Sequence, residues 1–192
     1  LELIAVLADA GLALSAEHWR LAEAIVRAVE MRWTEPDHGI WEVRGPLRHH
    51  VHSKVMCWHA VDRAIAVAHA FASEPPAAWH GLRATIAEDI LTRGWNAEAG
   101  CFTAAYGETT IDASALHVAL AGLLPGDDPR VLATVAVVER ELREGPTVHR
   151  YRFDDGLPGI EGGFQLCTTW LIEALARTGA GRRARELLDD YA

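Results

Sequence analysis

Glu42 follows Trp41 directly, within Asp37-His38-Gly39-Ile40-Trp41-Glu42-Val43-Arg44-Gly45. A carboxyl beside an indole suits a general acid, because apolar cover disfavours the anion and keeps a proton available near neutral pH. The same residues also read as a surface Glu paired with Arg44, with Trp41 plugging the helix ends. The segment runs on through Arg48-His49-His50-Val51-His52-Ser53-Lys54 toward Trp58. His52 and Lys54 suit hydrogen-bond donation to a substrate or to Glu42. A second stretch, Tyr151-Arg152-Phe153-Asp154-Asp155-Gly156-Leu157-Pro158-Gly159-Ile160-Glu161-Gly162-Gly163-Phe164, interleaves charges with aromatics. Rings that stack on a sugar face and charges that bond its hydroxyls would suit a polyhydroxylated ligand. An ordinary Gly/Pro turn with Asp154 or Asp155 paired to Arg152 fits equally. Between the two lie Tyr106-Gly107 and Asp112, the latter expected to N-cap the residues from Ala113 onward.

Other chemistries lack their patterns. His49, His50 and His52 are close, but adjacent residues point apart, and no His-x-x-x-His pair with a third carboxylate is present, so no metal site is expected. His59, His69 and His117 fall on helical stretches and read as packing residues. No nucleophile elbow and no phosphate-cradling Gly-rich motif occurs.

These candidates sit in three long segments, Thr34–His50, Gly94–Ile111 and Gly145–Gly162. Loops beyond roughly 12–15 residues are uncommon in compact domains and tend to be functional. The other connections (Ala13–Ser15, Ala72–Pro76, Pro125–Asp128, Gly179–Gly181) are short. Long and short turns alternating between antiparallel helices would put the long loops on one rim. Four helices read as apolar nearly all round, at Leu3–Leu12, Val51–Phe71, Asp112–Leu124 and Gly163–Arg177. Four read as amphipathic. Ala16–Trp33 carries Leu21, Ile25, Val29 and Trp33, and Ala77–Arg93 carries Trp79, Leu82, Ile86 and Ile90. Pro129–Arg143 carries Val131, Val135, Val138 and Leu142, and Arg182–Tyr191 carries Ala184, Leu187, Leu188 and Tyr191. Ser15 can cap the second helix, and Asp128-Pro129 is an N-cap followed by Pro at the first helical position. Short β-like patches occur at Thr147–Phe153 and Gly39–Val43. The pattern predicts an all-α fold of helical hairpins in two layers, closed as a toroid in preference to an open solenoid.

At 192 residues the chain is one domain's worth and can bury a substantial core. A net charge of −9 argues against a nucleic-acid surface, which needs clustered Lys and Arg. The apolar residues are scattered, so no membrane span is expected. Three unpatterned cysteines (Cys57, Cys101, Cys167) read as reduced thiols and suggest the cytoplasm. The opening Leu1-Glu2-Leu3-Ile4 reads as helix already under way and not as a signal peptide.

Gly39 through Gly45, followed by His52-Ser53-Lys54-Val55-Met56-Cys57-Trp58, resembles the bacterial glucoamylase-like and trehalase-like members of glycoside hydrolase family 15. So do Ala105-Tyr106-Gly107 with Asp112-Ala113-Ser114, Asp128-Pro129-Arg130, and Tyr151-Arg152 through Asp155-Gly156-Leu157-Pro158-Gly159. The resemblance covers essentially the whole chain. It implies an (α/α)6 toroid, with about four of six hairpins present, and inverting hydrolysis of α-glucosidic bonds in trehalose, maltose or short α-glucans. It makes Glu42 the general acid and Trp41 a wall of the subsite at the cleaved bond. Arg152 becomes a substrate-binding arginine and Glu161 a ligand-facing carboxylate. Arg44, His52, Lys54 and Tyr106 complete the expected substrate-binding set. It also implies that the family's Arg-Asp pair for the terminal glucose precedes Leu1 and that the catalytic base follows Ala192. The expected partners are therefore a small carbohydrate and the missing N- and C-terminal parts of the same domain, with the isolated fragment inactive. No metal or organic cofactor is implied. Two other readings remain. One is a sugar epimerase or polysaccharide lyase on the same toroid, using His52 or Tyr106 as base. The other is a non-catalytic α-helical binding scaffold.

Overall fold

The computed structural model describes residues 1–71, 74–153 and 162–191. Eight α-helices dominate them, as the apolar periodicities predict: α1 (Glu2–Asp9), α2 (Ala16–Arg32), α3 (Val51–Ala70), α4 (Ala77–Arg93), α5 (His117–Leu120), α6 (Pro129–Leu142), α7 (Gln165–Arg177) and α8 (Gly181–Tyr191). The cap signals act as expected. The Ser15 N–H donates to His18 Nδ1 at 2.9 Å. Asp128 Oδ1 accepts from the Arg130 N–H at 2.9 Å, with Pro129 in the first turn where a missing N–H costs nothing.

Several boundaries and faces differ from expectation. The helix expected over Asp112–Leu124 is a 3₁₀ turn at Ala113–Leu116 followed by the short α5. On α2 the buried face centres on Ala22 and Val26, while Leu21 is exposed. One residue turns a helix by about 100°, so the true stripe lies one position from the predicted one. On α1 only Ile4 and Ala5 are buried, and Leu3 and Val6 are exposed. Gly39–Val43 is not β-like but a tight turn, with the Val43 N–H donating to His38 O at 3.2 Å. The middle loop instead contains an unpredicted hairpin, β1 (Trp95–Asn96) against β2 (Cys101–Phe102). At the start of the third long loop β3 (Arg143–Glu144), just before it, pairs with β4 (Thr147–Val148) inside it.

The chain forms two compact units. One comprises Leu1–Glu35 and Met56–Asp89, the other Pro36–Val55 and Ile90–Ala192. In the first, Ala22, Val26, Val61, Ala64, Ile65 and Ile86 are among the buried side chains. There Trp19 packs against Phe71 and Trp79, with ring centroids 5.9 and 5.6 Å apart. In the second, Phe102, Leu116, Leu142, Leu171 and Leu187 are fully buried. The long loops, from Pro36 onward in the first, belong to this second unit, and backbone pairing joins them. The Val51 N–H donates to Ala104 O at 3.1 Å and the Tyr106 N–H to His49 O at 3.0 Å. Asp112 bridges Tyr151, and the Ala113 N–H donates to Arg150 O at 2.9 Å. The expectation that the loops gather together holds for their described residues. No described helix is long and apolar enough to cross a membrane, and the three cysteines are free.

Candidate active site

A cavity of about 310 Å³ opens within the second unit where the first and middle loops meet. Trp41 and Phe153 line it with apolar surface, Arg44 and Arg48 with charge, and His50 and His52 with imidazole. Its size is at the lower end of small-ligand pockets, about 300–1,000 Å³.

Local sequence explains how the first loop reaches it. Gly39 has φ +70°, a conformation that suits glycine, and a Cβ there would lie 2.9 Å from the His50 ring. The glycine therefore permits both the turn and the close approach of His50. Ser53 Oγ donates to Asp37 Oδ1 at 2.8 Å, tying the start of the loop to the first turn of α3. An Arg48–Glu108 ion pair ties its end to the middle loop.

Trp41 is held on several sides. Its indole N–H donates to both oxygens of Asp112, at 2.9 and 3.1 Å. Phe164 meets the ring edge-on at 5.8 Å, Trp170 lies tilted at 5.9 Å, and the Arg150 guanidinium sits 5.2 Å from its centroid. Asp112 is buried and also accepts the Ser114 N–H at 2.7 Å. It is thus the expected N-cap, with a second task that its local sequence did not announce. Burial pushes its carboxyl up, against the opposing pull of the bonds from Ser114 and Trp41. His52 meets His117 at 4.7 Å between ring centroids. Burial, with help from His117, lowers the His52 imidazole to about 3, so it is neutral at any ordinary pH.

The predicted site residues separate. Trp41, Arg44 and His52 line the cavity. Glu42 does not: its side chain is exposed and borders a shallow neighbouring groove with Asp37, His38 and Arg44. The indole cover expected over its carboxyl is absent here, because the indole edge turns to Asp112. Lys54 is 2% exposed, inside α3, and is not among the described lining residues. Tyr106 packs beneath the Arg93 guanidinium at 4.6 Å and stacks on His49, again off the cavity wall. Arg152 pairs with Glu144 at 3.1 Å and borders a different groove with Glu141 and Leu142. Glu161, Asp154 and Asp155 lie outside the described residues. Sequence reasoning missed Arg150 and Trp170 as neighbours of the site, weighed His50 only for metal binding, and held Phe164 only as the end of the aromatic stretch. Arg150 had no signal beyond its place in the third loop, and Trp170, inside α7, had none.

The sequence matches the family model of glycosyl hydrolases family 15 over residues 1–192. The chain belongs to that family. It is 43% identical over 175 residues to a trehalase of Mycobacterium tuberculosis, covering 89% of this chain and 26% of that protein. Against a trehalase of Thermoplasma volcanium it is 36% identical over 185 residues, covering 95% and 30%. The chain therefore spans under a third of the length of these relatives. Among solved structures, a wild-type glycosidase superposes with TM-score 0.83 at 26% identity, covering 97% of this chain and 49% of that one. A glycosidase variant in complex with glucose gives 0.72 at 26% identity, covering 83% and 42%. The all-α hairpin fold of this family 15 chain is accordingly that of part of an (α/α)6 toroid.

Proposed function

We propose that this family 15 chain is part of a catalytic domain that hydrolyses trehalose with inversion, with Glu42 as the general acid. The observation that carries the reading is backbone geometry. Glu42 is the one non-glycine among the described residues with positive φ, at +50°. Such a conformation is costly for a side-chain-bearing residue and clusters at functional sites. It occurs immediately after Trp41, whose ring lines the cavity that Glu42 itself does not line. The trehalase relatives supply the substrate class.

In this reading Trp41 stacks on the sugar, and Arg44 with neutral His52 bonds its hydroxyls. Glu42 protonates the glycosidic oxygen while a carboxylate outside these residues deprotonates a water on the opposite face. Inverting enzymes hold the two carboxyls roughly 6.5–9.5 Å apart to admit that water. A substrate ring and the remainder of the domain supply the apolar cover that Glu42 lacks here. Arg152 and Tyr106 act further from the bond being cleaved, and Lys54 supports the first turn of α3.

The epimerase or lyase alternative needs a base near neutral pH. An imidazole lowered to about 3 accepts protons poorly. Tyr106, beneath a guanidinium and off the cavity wall, offers no better base.

The test uses the full-length protein. Glu42→Gln should lower glucose release from trehalose by about 10²–10⁴-fold, the usual contribution of a positioned acid, with thermal unfolding unchanged. Full activity in that variant removes the assignment. Proton NMR of early product checks stereochemistry: inversion gives equal α- and β-glucose, whereas retention gives α alone.

A further inference from the structure

We propose that Asp112 is a positioning residue that acts through the Trp41 indole to aim Glu42; the inference rests on the acid role given to Glu42 above. Capping a 3₁₀ turn needs one acceptor and no burial, and Ser, Thr or Asn would serve. Asp112 goes further. Its carboxylate is 4% exposed and sits where uncompensated charge is expensive. Contacts from Ser114 (its hydroxyl and its N–H, the latter at 2.7 Å) and two from the Trp41 indole, at 2.9 and 3.1 Å, answer that cost. The indole comes from 71 positions away, so turn capping does not require it.

The geometry gives that bond a purpose. Ring contacts from Phe164, Trp170 and Arg150 pack around Trp41 but carry little preference for where its N–H points. A charge-assisted bond at the N–H fixes that direction. The next residue, Glu42, has strained backbone and an exposed side chain. Its direction is therefore inherited from Trp41 and from the turn whose Glu42 N–H meets Gly39 O at 3.3 Å. The backbone of Asp112 is also bridged to Tyr151. One residue, through its side chain and its backbone, thus references the first loop to the middle and third loops together.

The experiment measures kcat and KM of the full-length protein on trehalose and on α-glucosyl fluoride, whose fluoride leaving group needs little protonation. Asp112→Asn keeps one acceptor oxygen but sets an amide N–H₂ against a donor. It should lower kcat on trehalose by about 10–100-fold, the loss expected from misplacing a catalytic group by about 1 Å. KM should change little, and the fluoride should be turned over at nearly the parent rate. Trp41→Phe removes the N–H and leaves the cap intact; its smaller ring should weaken turnover of both substrates alike, and the positioning is read from the additional loss on trehalose over the fluoride. In the Trp41→Phe background Asp112→Asn should then add no further selective loss. Equal losses on both substrates, additive losses in the double variant, or no loss at all would each reduce Asp112 to a turn cap. If Asp112→Asn does not fold, Trp41→Phe alone decides by the same comparison. Glu42→Gln run alongside keeps the two ideas apart. Full trehalose activity there removes the acid assignment and with it the aiming of Glu42, and a selective loss still present in Asp112→Asn would then overturn the proposal by belonging to another group held by Trp41. A selective loss in Glu42→Gln but not in Asp112→Asn or Trp41→Phe removes only the positioning.

Discussion

The buried side chains of Leu1–Glu35 and Met56–Asp89 are apolar, whereas Lys54, Thr103, Asp112, Ser114, Thr134, His149 and Thr168 are all buried in the other unit. Among the described residues, every polar side chain buried as a whole thus lies in the unit that carries the long loops, while the first unit buries the ring atom His59 Nδ1. Helices satisfy their own backbone, so packing them needs only apolar surface. Irregular chain does not, and its N–H groups need acceptors from side chains. Thr134 Oγ accepts the Phe102 N–H at 3.1 Å, and Thr168 Oγ accepts the Val148 N–H at 3.0 Å. Each tethers a loop hairpin to a helix, β2 to α6 and β4 to α7. The cavity belongs to the same unit as those tethers, and the ion pairs of the first unit (Asp62 with Arg63 and Arg83) tether no loop. Loop placement in the second unit is bought with buried polar groups.

Substitutions in the full-length protein sharpen that contrast. The largest effect should come from a cavity in the first unit. Ile86 is fully buried, and Ile86→Ala should cost about 2–5 kcal/mol in denaturant unfolding, whereas Ile86→Leu, which conserves volume, should cost less than about 1.5 kcal/mol. The second unit should respond to chemistry at constant volume. Thr168→Val removes only the hydroxyl yet strands the Val148 N–H, at a cost of about 1–3 kcal/mol, with faster amide exchange at Val148. If Thr168→Val were neutral and Ile86→Leu severe, the contrast between the units would fail.

The smallest effect at neutral pH should come from His52. Its folded-state value lies below the unfolded 6.5, at about 3. Below pH 6.5 the unfolded chain takes up a proton that the folded chain refuses, so stability is present above that pH and is lost as pH falls toward 3. His52→Gln should flatten the fall in Tm between those limits and leave Tm at pH 7.5 nearly unchanged. Parallel pH profiles for the two proteins would exclude His52 as a source of acid sensitivity.

Legibility in the sequence followed the range of the interactions. The α4 and α6 helices and their buried stripes (Ile86 and Ile90; Val131, Val135, Val138 and Leu142) were readable because periodicity is local. The Ser15 and Asp128 caps act within three residues and were readable too. The β1–β2 hairpin was not, since two-residue strands carry no periodicity. The α2 stripe was misplaced by one position because Leu21 and Ala22 are both apolar and only a packing partner chooses between them.

At the site the same division holds. The Gly39–Gly45 and His52–Trp58 segments announced the family, and their Trp41, Arg44 and His52 line one cavity. Residue type and the family resemblance also suggested that Lys54, Tyr106 and Arg152 would join them, and packing sent each elsewhere: Lys54 into α3, Tyr106 beneath Arg93, Arg152 to Glu144. The order of residues fixed what was covalently near, namely the helices, the caps, and an acid set beside an indole. Only the folded chain could decide that Asp112 holds that indole, or that His52 stays neutral. Both depend on desolvation and on partners dozens of positions away, and neither exists until the loops are in place.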